Sequence, residues 1–482
     1  MRSKAREIDI QPTDHVAFIH IPKTAGTTLN AAIEPLLAGL SSCPEYFLAG
    51  LVQSELDDLR KFQVFRGHFP YALFSDVIFP EGFIGLTFLR DPVERTTSNY
   101  RFIHDLLKRD GPPVLPQYAD EFEQIKHLTL VELLERTDLR INKDLVNFQT
   151  GFMGSSVSSP AALPAFLPKL FPWGKSVTHA RYNQLRSRVR ETFGMNENGE
   201  ITRTNLNIAK QRLKEIAFLG LVEKFQDSLF LLSYTFGWRP IWDTTRLNAT
   251  PDKGDSASTN PEVLEQIRDS VGLDLELYRF GQDIFERRFN DMTQSLLQRY
   301  GKKKHAALRW PLLGDVMAQL LEQNYIDRRD RRARQAGPLA SEYLYRPAMK
   351  VEGPFGWYKP DFSPAHGRMC WSGPGLHSGF DLPCPSGTNI RVSFRVLMAL
   401  QPAIIEQLSL TLNNIPVELD YFVDPDGAFV FTGEIPSAAV SELFVRLVFS
   451  VPVTVVPGTV DPDNRDPRHL GILLNWVKLQ AH

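Results

Sequence analysis

An α/β domain with a P-loop-like, three-layer arrangement around a central parallel sheet, followed by a separate all-β sandwich, is the fold class predicted by three observations. From about residue 15 to 300, short apolar runs alternate with longer stretches of helical periodicity, the order expected of βαβ units. Two of those runs, His15–Ile21 and Phe83–Leu89, pass directly into a small-residue turn or a capped helix start. Beyond Gly337, turns rich in Gly, Pro and Asn separate short strand-like runs at sandwich spacing. A chain of 482 residues, at about 150 per domain, has room for two or three such units, each with its own core.

The first strand leads into Pro22-Lys23-Thr24-Ala25-Gly26-Thr27-Thr28 and then a helix with Leu29, Ile33, Leu36 and Leu37 along one face. This order of elements makes an anion cradle. Ala25 and Gly26 let backbone N–H groups approach a phosphate, the helix start adds its positive end, Lys23 adds a point charge, and Thr24, Thr27 and Thr28 supply hydroxyls. The loop differs from GxxxxGK[ST], because Lys23 precedes Gly26 and no Lys-Ser/Thr pair follows that glycine.

The next landmark is Phe65-Arg66-Gly67-His68, a short strand-like run with a histidine opening the loop after it. The Phe83–Leu89 strand then enters Arg90-Asp91-Pro92-Val93-Glu94-Arg95, where Asp91 reads as an N-cap, Pro92 as the first helical residue and Glu94 as the third. Arg90 is thereby predicted at a strand's carboxyl end, where ligands bind in open α/β sheets, and Ser98 two turns into the helix can face the same crevice. A guanidinium and a hydroxyl together describe a second phosphate site, although a capped helix with a surface arginine pair would carry the same letters.

Domain boundaries are placed near 300 and 345, giving 1–300, a partly helical basic connector over 301–344, and a sandwich over 345–482. The connector's basic clusters could contact a membrane surface peripherally through 301–334, but a solvated linker face is the plainer reading. Predicted strands of the sandwich are Asn389–Leu397, Leu408–Leu412, Ala428–Phe431, Leu443–Phe449 and Ile472–Leu479.

Composition excludes several classes of function. A net charge of −2 gives no whole-chain attraction to nucleic acid, and 43% hydrophobic with 23% charged residues is ordinary globular usage. Cys43, Cys370 and Cys384 form neither a disulfide framework nor a CxxC knuckle, and no HExxH occurs, so no metal is predicted. The start lacks an apolar h-region and no transmembrane run follows, so the expected location is cytoplasmic.

FIHIPKTAGTTL and LRDPVERTTSNY, in this order, resemble the 5′-phosphosulfate and 3′-phosphate motifs of sulfotransferases that use 3′-phosphoadenosine 5′-phosphosulfate (PAPS). The resemblance is to the family of heparan sulfate 2-O-sulfotransferases and their bacterial-type relatives. Gly220–Leu229 with Phe236-Gly237-Trp238, and Asn147-Phe148-Gln149-Thr150, are similar to further family elements, and the likeness covers about residues 14–290. It implies PAPS as co-substrate, with Lys23, Thr24, Ala25, Gly26, Thr27, Thr28, Arg90 and Ser98 binding it, and a hydroxyl acceptor, expected to be a glycan or glycoconjugate. Two anion sites at neighbouring strand–helix turns are what a donor with two separate phosphate ends requires.

Sulfuryl transfer to a hydroxyl needs positive charge on the departing phosphate and a base for the incoming proton. Lys23 is assigned the first role and His68 the second, since imidazole is near neutrality in pKa and the family's Gly-His element resembles this position. A lone histidine among aromatics can equally be structural, as His20 is read to be. Arg66 and Arg95 are left as acceptor or phosphate contacts or as surface charges. The aromatics of the sandwich are read mostly as core, with glycan stacking as the other use. A nucleotide or sugar kinase, or a catalytically inactive carbohydrate-binding protein, are the rival functions.

Overall fold

The computed structural model describes residues 4–47, 51, 54–110, 121–157, 200–241, 260–301, 310–336, 340–384, 387–437, 440 and 443–482. The basic cluster Lys302–Lys304 lies outside the described residues. The chain divides into two compact units, one made of Met1–Asn30, Ser41–Phe236 and Pro240–Leu320, the other of Ala31–Leu40, Gly237–Arg239 and Leu321–His482.

The first unit is built on four parallel strands, β1 (Val16–Ile19), β2 (Val64–Gly67), β3 (Ile84–Leu89) and β4 (Phe218–Leu221), in the order β2-β1-β3-β4. Every residue of β1, β2 and β4 is buried, which explains why β1 and β4 read as unbroken apolar runs rather than alternations, while β2 buries the charged Arg66. Ile19 pairs with Gly67 on one side and with Thr87 on the other, so the carboxyl ends of β1, β2 and β3 lie side by side. The chain leaves β1 for β2 on one flank and then crosses to β3 on the other. A crevice opens where the winding reverses in this way, and it is the ordinary ligand position of such sheets.

Three helices matter for that edge. α1 (Gly26–Ile33) follows β1 directly, α2 (Pro92–Asp110) follows β3, and the long α3 (Gly272–Tyr300) reaches the same region with its first turn. Asp91 caps α2 as expected, its Oδ1 accepting from the amides of Val93 at 3.0 Å and Glu94 at 3.1 Å.

The second unit holds two antiparallel sheets. One runs Asp420–Val423, Phe429–Ile435, Ile390–Ala399, Ile472–Ala481, Gly367–Trp371, Asp361–Ser363, with Glu342–Tyr345 also pairing to Ile472–Ala481. The other runs Ile415–Val417, Ser409–Leu412, Phe444–Ser450, His377–Pro383, Glu352–Phe355. Inward side chains of both share one core: Phe394 of the first sheet meets Phe449 of the second edge-on at 5.1 Å between ring centroids. All five predicted strands are present. Trp357 and Trp371 are buried, as core filling requires, whereas Phe362, Tyr421 and Phe422 are exposed.

One expectation is corrected in this unit. The basic run over 327–338 reads as a solvated linker face, but its part up to Ala336 belongs to a helix, Trp310–Ala336, in which Arg328 and Arg329 are buried. Arg329 donates to the fully buried Asp381 carboxylate at 2.8 Å, and Tyr325 Oη donates to the same oxygen at 2.7 Å. Buried charge needs a partner, and Asp381 lies in strand His377–Pro383, far along the chain from the basic run it neutralises.

Candidate functional site

The cradle after β1 has an unusual backbone. Lys23 and Ala25 both have positive φ, 70° and 58°, with Thr24 between them. Left-handed backbone at non-glycine residues costs about 1 kcal/mol each, and alternation of handedness turns successive N–H groups into one concavity that receives an anion. Thr24 is fully buried and its hydroxyl donates to the Ile21 carbonyl at 2.8 Å, so it fastens the loop and leaves only its backbone N–H to face a ligand. Thr27 is exposed and Thr28 buried at the helix start.

Gly26 is required by packing. A Cβ there would stand 1.8 Å from His20 Nε2, so the imidazole of His20 forms the floor beneath the cradle. We expect Gly26→Ala to destabilise the unit by about 2 kcal/mol through overpacking, and Gly26→Ala with His20→Ala to recover most of it. Urea unfolding of the three proteins measures this, and equal stability of Gly26→Ala and wild type would contradict it.

β1 ends at Ile19, so His20, read as structural, stands just beyond the strand. Its ring lies 5.3 Å from Phe18 and 4.3 Å from His68, centroid to centroid. Burial, then the neighbouring His68 and Lys23, hold His20 neutral with its pKa lowered to about 3. His68 follows β2 as predicted. Its Nδ1 lies 2.9 Å from the carbonyl oxygen of His20. A carbonyl only accepts, so Nδ1 carries the hydrogen and Nε2 carries the lone pair. Burial also lowers the His68 pKa below the ordinary histidine value.

Arg90 joins the two motifs: its Nη1 donates to the Lys23 carbonyl at 3.2 Å. A pairing with Glu94 at 3.5 Å is weak, since that carboxylate is 66% exposed. Ser98 is half-buried two turns into α2, and among the described residues no hydrogen bond links it to the loop. Arg95 is fully buried and cannot be the surface charge that its sequence context allowed. It donates to the carbonyls of Pro22 at 3.3 Å and Asp144 at 3.0 Å and lies 4.4 Å over the Phe148 ring. It is thus a tie under the cradle. Arg66 is buried within β2.

The Lys23 ammonium sits 4.4 Å over the Phe102 ring, and no carboxylate pairs with it among the described residues. Its pKa is lowered by burial first, and then by the guanidiniums of Arg90 and Arg95. Three cations around one backbone concavity, one of them without an anionic partner, form a site whose electrostatics an anion completes.

Residues that the sequence left without a role hold this arrangement. Gln149, in the short helix Phe148–Gly154, grips the backbone of Arg90 from both sides: its Oε1 accepts from the Arg90 amide at 3.0 Å and its Nε2 donates to the Arg90 carbonyl at 2.8 Å. Asn147, left-handed at φ 46°, accepts with Oδ1 from the amides of Leu273 and Asp274 at 2.9 and 3.0 Å. The buried Asp274 carboxylate returns the favour, accepting from the amides of Gln149 and Thr150 at 3.1 and 2.7 Å. Each helix start is capped by the other segment. Glu223 accepts from the Asp91 amide at 2.8 Å and from Tyr278 Oη at 2.6 Å, tying β4's exit to the Arg90 turn. We expect Asn147→Ala to cost about 2 kcal/mol, from a lost cap and a left-handed residue without its side-chain compensation. Thermal and urea unfolding check this, and a change within about 0.5 kcal/mol would contradict it.

No protein-family model matches the sequence. Among curated proteins, the chain is 30% identical over 129 residues to heparan-sulfate 6-O-sulfotransferase 3 of Mus musculus, covering 25% of this chain and 27% of that one. It is 33% identical over 99 residues to heparan-sulfate 6-O-sulfotransferase 2 of Homo sapiens, 20% of this chain and 16% of the relative. The Danio rerio heparan-sulfate 6-O-sulfotransferase 2 is 36% identical over 89 residues, 18% and 19% of the two chains. The chain therefore spans about a quarter or less of the length of the curated relatives it matches. These relatives support a sulfotransferase relationship and carry 6-O names where the motifs alone pointed to 2-O enzymes. Among solved structures, a family 35 carbohydrate binding module from Clostridium thermocellum aligns with 29% of this chain and 98% of its own at 9% identity and a TM-score of 0.20, too low to carry an argument. Among the described residues no group of His, Cys, Asp or Glu is placed to hold a metal ion, and no helix is long and apolar enough to cross a membrane.

Proposed function

We propose that this protein is a sulfotransferase that moves a sulfuryl group from PAPS to a hydroxyl on a carbohydrate, using a P-loop-like α/β domain over residues 1–300. The sandwich over 345–482 would serve it as an appended module. The observation that carries the reading is the Lys23 ammonium, which pairs with no carboxylate among the described residues and lies in a left-handed loop where the Arg90 and Arg95 guanidiniums act on it. The partial similarity to heparan-sulfate sulfotransferases points the same way.

In this reading the N–H groups of Lys23 to Thr28 receive the 5′-phosphosulfate, and Arg90 with Ser98 receives the 3′-phosphate. The acceptor oxygen attacks sulfur, a new O–S bond forms, and the bond from sulfur to the bridging oxygen breaks with its electron pair passing to the 5′-phosphate. Lys23 stabilises that developing charge. His68 Nε2 takes the acceptor's proton, while the His20 carbonyl on Nδ1 supports the imidazolium that results. The glycan acceptor rests on the relatives and on the chemistry of a hydroxyl nucleophile.

The test is transfer of sulfur-35 from labelled PAPS to heparan-sulfate oligosaccharides across pH. A base must be deprotonated, and His68 has a lowered pKa, so kcat/KM should rise with a midpoint below 6.5 and then stay level through pH 8. A midpoint above 7 would contradict the assignment of His68, and no transfer from PAPS to any hydroxyl would contradict the function.

A further inference from the structure

Beside the histidine pair stands a large apolar side chain that the fold does not bury. Phe47 is 63% exposed. Its position is nevertheless fixed by backbone: Phe47 forms a parallel bridge with His68, and the His68 amide donates to the Tyr46 carbonyl at 2.9 Å. Gly67 permits this approach, since a Cβ there would stand 2.5 Å from the Tyr46 carbonyl oxygen. The Phe47 ring centroid is thereby held 5.6 Å from that of His68. A buried phenylalanine would contribute about 1.5–3 kcal/mol to folding, a gain this placement forgoes beside the histidine whose Nε2 lone pair is left by its Nδ1 contact.

We propose that Phe47 is the platform on which a sugar ring of the acceptor stacks, and that it sets that ring beside His68. The inference rests on the sulfotransferase reading above. A pyranose has a face of C–H groups with hydroxyls around its rim. Laying that face on an aromatic ring removes apolar area from water while the hydroxyls stay free to react. A separation of about one sugar ring between platform and base brings a rim hydroxyl to the imidazole without moving the protein. Phe47 is a positioning residue, since it touches the acceptor and not the transferred group.

Sulfur-35 transfer from PAPS to heparan-sulfate oligosaccharides, measured for wild type, Phe47→Ala and Phe47→Trp, tests this together with titration of each by adenosine 3′,5′-bisphosphate. Phe47→Ala should raise the oligosaccharide KM about tenfold or more, change kcat less than about threefold, and leave bisphosphate affinity unaltered. Phe47→Trp should restore KM, which a merely structural role would not predict. An unchanged KM in Phe47→Ala, with bisphosphate still bound, overturns the platform and leaves the transferase reading standing. A KM that Phe47→Trp does not recover overturns it as well. So does a wild-type dimer in sedimentation that Phe47→Ala dissolves, since a second copy would then cover the ring. If wild type binds no bisphosphate, the transferase reading fails and the platform fails with it.

Discussion

Lys23→Ala is expected to lower kcat for sulfuryl transfer about a thousandfold or more, the largest single effect in the site. Removing one well-placed donor to a developing oxyanion costs about 10²–10³, and a full positive charge on a phosphate leaving group is worth more. The Lys23 ammonium is suited to that role by its surroundings: burial and two guanidiniums raise the free energy of its charged form, and charge arriving on the donor relieves all three cations together. Lys23→Arg should recover little, because a planar fork does not replace a compact ammonium over the Phe102 ring. Binding and chemistry separate cleanly. Adenosine 3′,5′-bisphosphate affinity should fall much less than kcat, whereas a lysine that only holds cofactor would lose both to the same degree.

His68→Gln is expected to lower kcat by about 10²–10⁴ and to remove the acid limb of the pH profile. Glutamine fills similar space and can still donate to the His20 carbonyl, so the loop stays folded while the basic lone pair is gone. In the proposed mechanism the His20–His68 pair is what makes His68 suited to act as the base. One imidazole is held neutral beneath Gly26, and its backbone carbonyl fixes the tautomer of the other. Kinetics of wild type and His68→Gln between pH 5 and about 8 read this directly, at the pH range where histidine titrates. A residual rate within tenfold of wild type would move the base elsewhere.

Local chemistry explains which parts were legible beforehand. The strand before Pro22, the strand before Arg90, the Asp91 cap and the five sandwich strands all follow from neighbours in sequence, through hydrophobic runs, turn residues and capping spacing. Lys23, Gly26, Arg90 and His68 are singled out for the same reason, each lying just beyond a recognisable strand. The rest depends on partners distant in the chain. Gln149 grips Arg90 from 59 residues away, Asp274 meets Thr150 from 124 away, and no spacing rule connects them. His20, read as structural, lies one residue past the end of β1 with its ring beside His68 and beneath Gly26, a placement that depends on the fold rather than on its neighbours in sequence. Charge composition makes the basic run of 327–338 look solvated because it cannot reveal that Asp381 waits for Arg329 in a strand 52 residues on. Ser98 and Thr24 show the limit in the other direction. Both have the right residue type in the right motif, yet Thr24 has committed its proton to Ile21.

Calorimetric titration with adenosine 3′,5′-bisphosphate, beside adenosine 5′-monophosphate and ATP with magnesium, tests the central claim most directly. The account predicts micromolar binding that requires the 3′-phosphate and weakens in both Lys23→Ala and Arg90→Ala. Absence of binding, or a preference for ATP with magnesium, would contradict it and return the cradle to a kinase or to an inactive carbohydrate-binding protein.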